Sequence, residues 1–173
     1  ASDVYKRQGP VSENYETGEL VLTGEMKSNQ QVGKWTYYYR NGAKMMEGEY
    51  SLGEKTGQWK AWFPNGDLRL EGMMVEGMPD GLWSFYEGGF KVQERSFQIG
   101  RKTGRWTIWY PGGSKHTQGD YKDGLKQGVW KSWYDNGQKK QQGEFDQGVL
   151  QGQWKRWDEN GKPFGENETP VSY

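Results

Sequence analysis

The sequence predicts an all-β protein: an extended antiparallel β-meander of about six β-hairpin repeats, 23 to 24 residues each, forming a solenoid-like single sheet. Three observations lead there. A glycine just ahead of a tryptophan recurs at near-constant spacing, since Gly9, Gly33, Gly57, Gly81, Gly104, Gly128 and Gly152 lie 24, 24, 24, 23, 24 and 24 residues apart. Short aromatic runs stop on Asn-Gly, as in GKWTYYYRNG from Gly33, GQWKAWFPNG from Gly57 and GVWKSWYDNG from Gly128, and such a run followed by Asn-Gly and a second run is a hairpin signal. Counting outward from each pair sets a tryptophan against a glycine on the returning strand.

Residues 1–8, which contain DVYKRQ, read as the translated scar of a sequencing adapter and are expected outside the fold. A signal peptide or lipid anchor could have been lost with the natural start, so cytoplasmic and envelope or secreted locations both remain compatible with the sequence. Residues 9–164 are the repeat array, and its first unit is weak, with Val11 in place of tryptophan. With Asn41 and Gly42 as the two residues of a type I′ turn, Arg40 faces Ala43, Tyr38 faces Met45, Trp35 faces Gly48 and Gly33 faces Tyr50. The same arithmetic pairs Trp59 with Gly72, Trp106 with Gly119 and Trp130 with Gly143, and sets Gly104 against Tyr121 and Gly128 against Phe145. Trp83 and Trp154 complete the regular tryptophans. A glycine weakens a strand unless something bulky approaches it, and the tryptophan opposite is expected to lie across it.

Strand side chains alternate between faces, so Trp35, Tyr37 and Tyr39 share a face expected to be buried, and Thr36, Tyr38 and Arg40 share the solvated one. Gly53, Gly77, Gly100, Gly124 and Gly148 mark turns between units. The unit starting at Gly81 is one residue short and carries Arg95 where a glycine belongs. Keeping Gly81 opposite Phe97 there requires an odd loop, Gly88 to Phe90, with a bulge and a local bend. Residues 165–173 are expected to be a disordered tail.

Composition fits an aromatic core. The chain has 10 Trp and 11 Tyr, no Cys, one His, and 23 basic against 23 acidic residues. Each ring buries roughly 150–250 Å². Charge balance argues against a nucleic-acid partner, which needs a concentrated basic patch. Without cysteine there is no thiolate metal site or disulfide, and no apolar run is long enough to span a membrane as a helix. No catalytic residues, metal site or cofactor are expected. His116, predicted beside Trp109, reads as surface ring packing, and GEKTG and GRKTG are repeat turns rather than phosphate loops.

The passage from Gly48 to Trp59, GEYSLGEKTGQW, resembles the MORN repeat, and the full unit with W-x-x-W-Y-x-N-G looks like its bacterial variant form. The resemblance covers Gly9 to Gly161. It departs from the standard pattern in carrying Trp where a glycine usually closes the motif. The resemblance implies hairpin arrays that act as interaction or scaffold modules, with an antitoxin-like label attached to many variants.

The feature with functional promise is a second aromatic row on the solvated face, Tyr38, Trp62, Tyr86, Trp109, Trp133 and Trp157. Predicted beside it are the cations Arg69, against Trp62, and Lys140, against Trp133. Three readings are open: lysine and arginine stems cover these rings structurally, the row binds a protein, or it stacks sugar rings, as in the similar but shorter cell-wall-binding hairpin repeats. The expectation is a non-enzymatic protein-binding module with an unidentified partner, the alternative being carbohydrate or cell-wall binding.

Overall fold

The computed structural model describes residues 7–165 and places no helix among them. The scar therefore falls outside the described residues except for Arg7 and Gln8, and the tail except for Gly165. The chain divides into two units, Ala1–Gly89 and Phe90–Tyr173. The first holds β1 (Gly9–Asn14), β2 (Leu20–Lys27), β3 (Gln30–Tyr38), β4 (Lys44–Ser51), β5 (Glu54–Trp62), β6 (Leu68–Val75) and β7 (Met78–Glu87). The second holds β8 (Phe90–Gln98), β9 (Arg101–Trp109), β10 (Lys115–Lys122), β11 (Leu125–Trp133), β12 (Lys139–Asp146) and β13 (Val149–Arg156). Within each unit every strand pairs antiparallel with the next, so the all-β meander is as the sequence predicts.

The predicted register holds over the inner part of the four hairpins β3–β4, β5–β6, β9–β10 and β11–β12. Gly33 pairs with Tyr50, Trp35 with Gly48, Trp59 with Gly72, Gly104 with Tyr121, Trp106 with Gly119, Gly128 with Phe145 and Trp130 with Gly143. It slips by one at the loop, because Tyr38 pairs with Lys44 rather than Met45. The cause is the turn. Gly42 N donates to Tyr39 O and Tyr39 N to Ala43 O, at 2.9 and 2.8 Å, and of the Asn-Gly pair only Gly42 has positive φ, 81°. This is a three-residue loop with a left-handed glycine at its end, not a two-residue type I′ turn. The type I′ geometry occurs between repeats instead, where Leu52 and Gly53 have φ of 51° and 85°, and Ile99 and Gly100 have 42° and 79°. In the irregular repeat Gly88 and Gly89 are both left-handed, at 56° and 81°, and Phe90 already belongs to β8. Its loop is thus two residues, shorter than the bulged loop predicted from Gly88 to Phe90.

Which ring fills which glycine notch is the main correction. A Cβ on Gly48 would lie 2.2 Å from the ring of Trp59, the tryptophan of the next repeat, and not under its register partner Trp35. Trp35 lies instead over Gly24, Trp83 over Gly72, Trp130 over Gly119 and Trp154 over Gly143. The reason lies in the pairs that cross the short turns. Glu47 pairs with Lys60 and Glu49 with Thr56, so Gly48 faces the three residues Gly57, Gln58 and Trp59. Gly57 takes the extra length in a left-handed bulge, φ 66°, and swings the following ring onto bare backbone. In two repeats the indole N–H then closes the contact, Trp83 Nε1 donating to Met73 O at 3.0 Å and Trp130 Nε1 to Asp120 O at 3.2 Å, each the carbonyl just after the covered glycine; Trp35 and Trp59 donate instead within their own strands, to Val32 O at 3.2 Å and Thr56 O at 3.1 Å.

The core sits on this face. In the second unit Phe97, Trp106, Tyr121, Trp130, Phe145 and Trp154 form an unbroken stack with successive centroids 4.7–6.4 Å apart. In the first, Tyr50 bridges Trp35 and Trp59 at 5.9 and 5.3 Å. Beside it runs a cross-strand row of Leu22, Tyr37, Met46, Ala61, Leu70 and Phe85. Trp59 is 2% exposed because the sheet lies beneath it and Lys55 Nζ stands 4.4 Å from its centroid, the stem covering the ring and the ammonium reaching water.

Candidate functional site: the aromatic row on the second face

Alternation places Lys34, Thr36 and Tyr38 on the face opposite Trp35, and each repeat repeats the placement. The six residues of the predicted row, Tyr38, Trp62, Tyr86, Trp109, Trp133 and Trp157, are all half-buried. The backbone of three of them is tied along the array by tyrosines one repeat earlier: Tyr39 Oη donates to Trp62 O at 2.9 Å, Tyr110 Oη to Trp133 O at 3.0 Å and Tyr134 Oη to Trp157 O at 2.9 Å. Burial holds the Tyr110 and Tyr134 hydroxyls above their ordinary pKa, with nearby carboxylates, Asp135 and Glu159 respectively, adding to the shift.

Cations do lie on the rings, but not those the sequence suggests. Lys44 stands 5.8 Å from the Trp62 centroid, Lys115 5.9 Å from Trp133 and Lys139 4.9 Å from Trp157. Each comes from the preceding hairpin, three residues past its Asn-Gly asparagine or the equivalent position. The one-residue slip explains the difference, since it sets Leu68 rather than Arg69 opposite Trp62 and Lys139 rather than Lys140 opposite Trp133. Arg69 is exposed, and Lys140 lies over Tyr134 at 5.2 Å. His116 packs edge-on to Tyr110 at 4.7 Å, where Trp109 was expected, because it occupies the bulge between the Lys115 and Thr117 pairings. The recurring Lys two residues after the loop glycine, at 44, 115 and 139, is the readable signal for the ring covers, and a two-residue loop, one residue shorter than the real one, hides it by shifting the pairing.

Between the rings runs a charged, paired surface. Glu47 accepts from Lys34 at 3.0 Å and Lys44 at 2.8 Å. Burial alone would raise its pKa, but the two ammonium groups outweigh it and hold the carboxyl below its ordinary value. Lys44 thereby spans Glu47 and the Trp62 ring. Lys60 meets Glu71 at 3.1 Å as the register predicts, Tyr86 Oη donates to Glu71 Oε1 at 3.0 Å, and Arg105 grips Asp120 through two 3.1 Å bonds. The surface is a row of rings flanked by cations and carboxylates, suited to recognition by stacking and ion pairing. Among the described residues no three His, Cys, Asp or Glu side chains gather as a metal site, and no helix is long and apolar enough to cross a membrane.

A family model, the MORN repeat variant, matches residues 31–51, 55–75, 126–147 and 150–168. The first three matches each span one long-loop hairpin, β3 with β4, β5 with β6 and β11 with β12. No curated protein matches the chain. Two matched segments begin in each unit, and the glycine and tryptophan period carries the same unit through the stretch between them, so the chain belongs to the MORN repeat variant family.

Proposed function

We propose that the protein is a non-catalytic binding module, of a scaffold or antitoxin-like kind, that docks another protein on the aromatic row. The carrying observation is the contrast between the two aromatic sets. The regular tryptophans are largely spent on the glycine notches, whereas Trp62, Trp133 and their counterparts keep part of each ring in solvent beside a lysine. Tryptophan, tyrosine and cations beside them are the groups that dominate protein interfaces, and the hairpin repeat presents one such ring per unit of sequence.

Binding a glycan by ring stacking is the second reading, favoured by the regular recurrence of the row in the sequence, every 23 to 24 residues. One experiment separates the two. Trp62→Ala and Trp133→Ala, each checked for an unchanged far-UV spectrum, are tested for co-purification with the product of a neighbouring gene and on a glycan array. Loss of the protein partner supports the proposal. A glycan signal that these substitutions abolish transfers the row to the second reading.

A further inference from the structure

Four Asn-Gly pairs close long loops: Asn41-Gly42, Asn65-Gly66, Asn136-Gly137 and Asn160-Gly161. Asn-Gly is the dipeptide most open to cyclisation, because no side chain shields the glycine nitrogen. In all four loops that nitrogen is engaged alike, donating to Tyr39 O, Phe63 O, Tyr134 O and Asp158 O at 2.9, 2.9, 2.9 and 3.0 Å. The asparagine side chains are not alike. Asn41 accepts from Ala43 N at 3.0 Å and donates from Nδ2 to Pro64 O, in the next repeat's loop, at 2.9 Å. Asn136 is held the same way, by Gln138 N at 2.9 Å and by Glu159 O at 2.9 Å.

Asn65 lacks the inter-repeat bond. Asn65 Oδ1 accepts from Asp67 N at 3.1 Å as its counterparts do, but the following turn is the short Gly88-Gly89 one, and Asn65 Nδ2 turns back to the exposed carboxylate of Asp67 at 2.8 Å. In the last loop Asp158 Oδ1 takes the backbone amides of Asn160 and Lys162, at 3.0 and 2.8 Å, and among the described residues no backbone carbonyl of a following repeat clamps the exposed Asn160 side chain. We propose that Asn65 and Asn160 are sites of spontaneous deamidation, and that Asn41 and Asn136 are protected from it by the carbonyl of the next repeat.

In the reaction the Gly66 nitrogen attacks Asn65 Cγ, a C–N bond forms, the Cγ–Nδ2 bond breaks, and the nitrogen's proton leaves with the departing ammonia. Water then opens the cyclic imide at either carbonyl, giving aspartate or isoaspartate. Attack requires the carboxamide to rotate toward the glycine nitrogen. In all three of Asn41, Asn65 and Asn136 rotation breaks the bond that Oδ1 accepts from the amide two residues on; at Asn41 and Asn136 it must also break the Nδ2 bond to the next repeat's backbone carbonyl, whereas at Asn65 the Nδ2 bond is to an exposed carboxylate of the same loop.

The test is incubation of the whole chain at mildly alkaline pH, with aspartate and isoaspartate quantified at each site by peptide mapping, in buffer and in concentrated urea. Rates at Asn65 and Asn160 are expected to exceed those at Asn41 and Asn136 by about fivefold or more, the factor that one hydrogen bond of net ~1 kcal/mol corresponds to, and the gap should close in urea. Equal rates in the folded chain overturn the proposal. So does a gap that persists in urea, since flanking sequence rather than the fold would then set the rates.

Discussion

At the scale of single residues, two tryptophans three positions apart have different surroundings. Trp59 is 2% exposed and lies on the backbone of Gly48, whereas Trp62 is half-buried under the Lys44 ammonium. Trp59→Ala is therefore expected to cost about 3–5 kcal/mol, the range for an aromatic removed from a core. Trp62→Ala should cost only about 1–2 kcal/mol, for a partly buried ring and one cation–π contact. Urea unfolding measures both, and equal losses would place the row in the core and end its candidacy as a binding surface. Glu47 supplies a pH test. Its folded-state pKa is depressed by Lys44 and Lys34 against the pull of burial, so its stabilisation is fully present above the unfolded value and disappears as pH falls through the lower folded value. Stability should decline on acidification below about 4.5, the ordinary value, and Glu47→Gln should flatten that part of the curve.

At the scale of elements, the two turn types make separate demands. Ile99 is β-branched, 49% exposed, and sits at φ 42° in a type I′ turn, a region that costs a side-chain-bearing residue about 1–2 kcal/mol. Asparagine tolerates it, so Ile99→Asn should raise stability by about 1 kcal/mol in chemical denaturation, and a loss would show that the isoleucine makes contacts worth more than its strain. The long loops depend on the tyrosine ties, and Tyr110→Phe, which removes only the bond to Trp133 O, should cost about 1 kcal/mol. Period, strand directions and inner register are legible because loop length and two-residue alternation determine them together, but the second face is not solvated throughout as predicted: Thr36, Ser84 and Thr107, each next to a regular tryptophan, are buried on it. The long-loop type was misread although Pro64 and Pro111 pointed to it. Proline is favoured at the second position of a type I turn, and Phe63-Pro64-Asn65-Gly66 and Tyr110-Pro111-Gly112-Gly113 place it there. One residue of error at each loop then moved Arg69, His116 and Lys140 onto the wrong neighbours.

At the scale of the whole molecule, each ring belongs to one repeat and each notch to the repeat before, so the tryptophan and glycine pairs act as fasteners between units of the array. This was hidden in the sequence because Gly33 and Gly57 read as ordinary strand residues, and only their left-handed backbone reveals the bulge that redirects the next ring. Stability then follows nearest-neighbour interfaces, and each interface is only as good as its glycine. Arg95 marks the exception: Trp106 there stacks on a guanidinium at 5.2 Å and stays half-buried. The most direct test is a double-mutant cycle around Gly119, combining Gly119→Ala with Trp130→Leu and, separately, with Trp106→Leu. An alanine at 119 would meet the Trp130 ring at 2.1 Å, so coupling of about 2 kcal/mol with Trp130 and within about 0.5 kcal/mol of zero with Trp106 is predicted. Strong coupling to Trp106 and none to Trp130 would contradict the account.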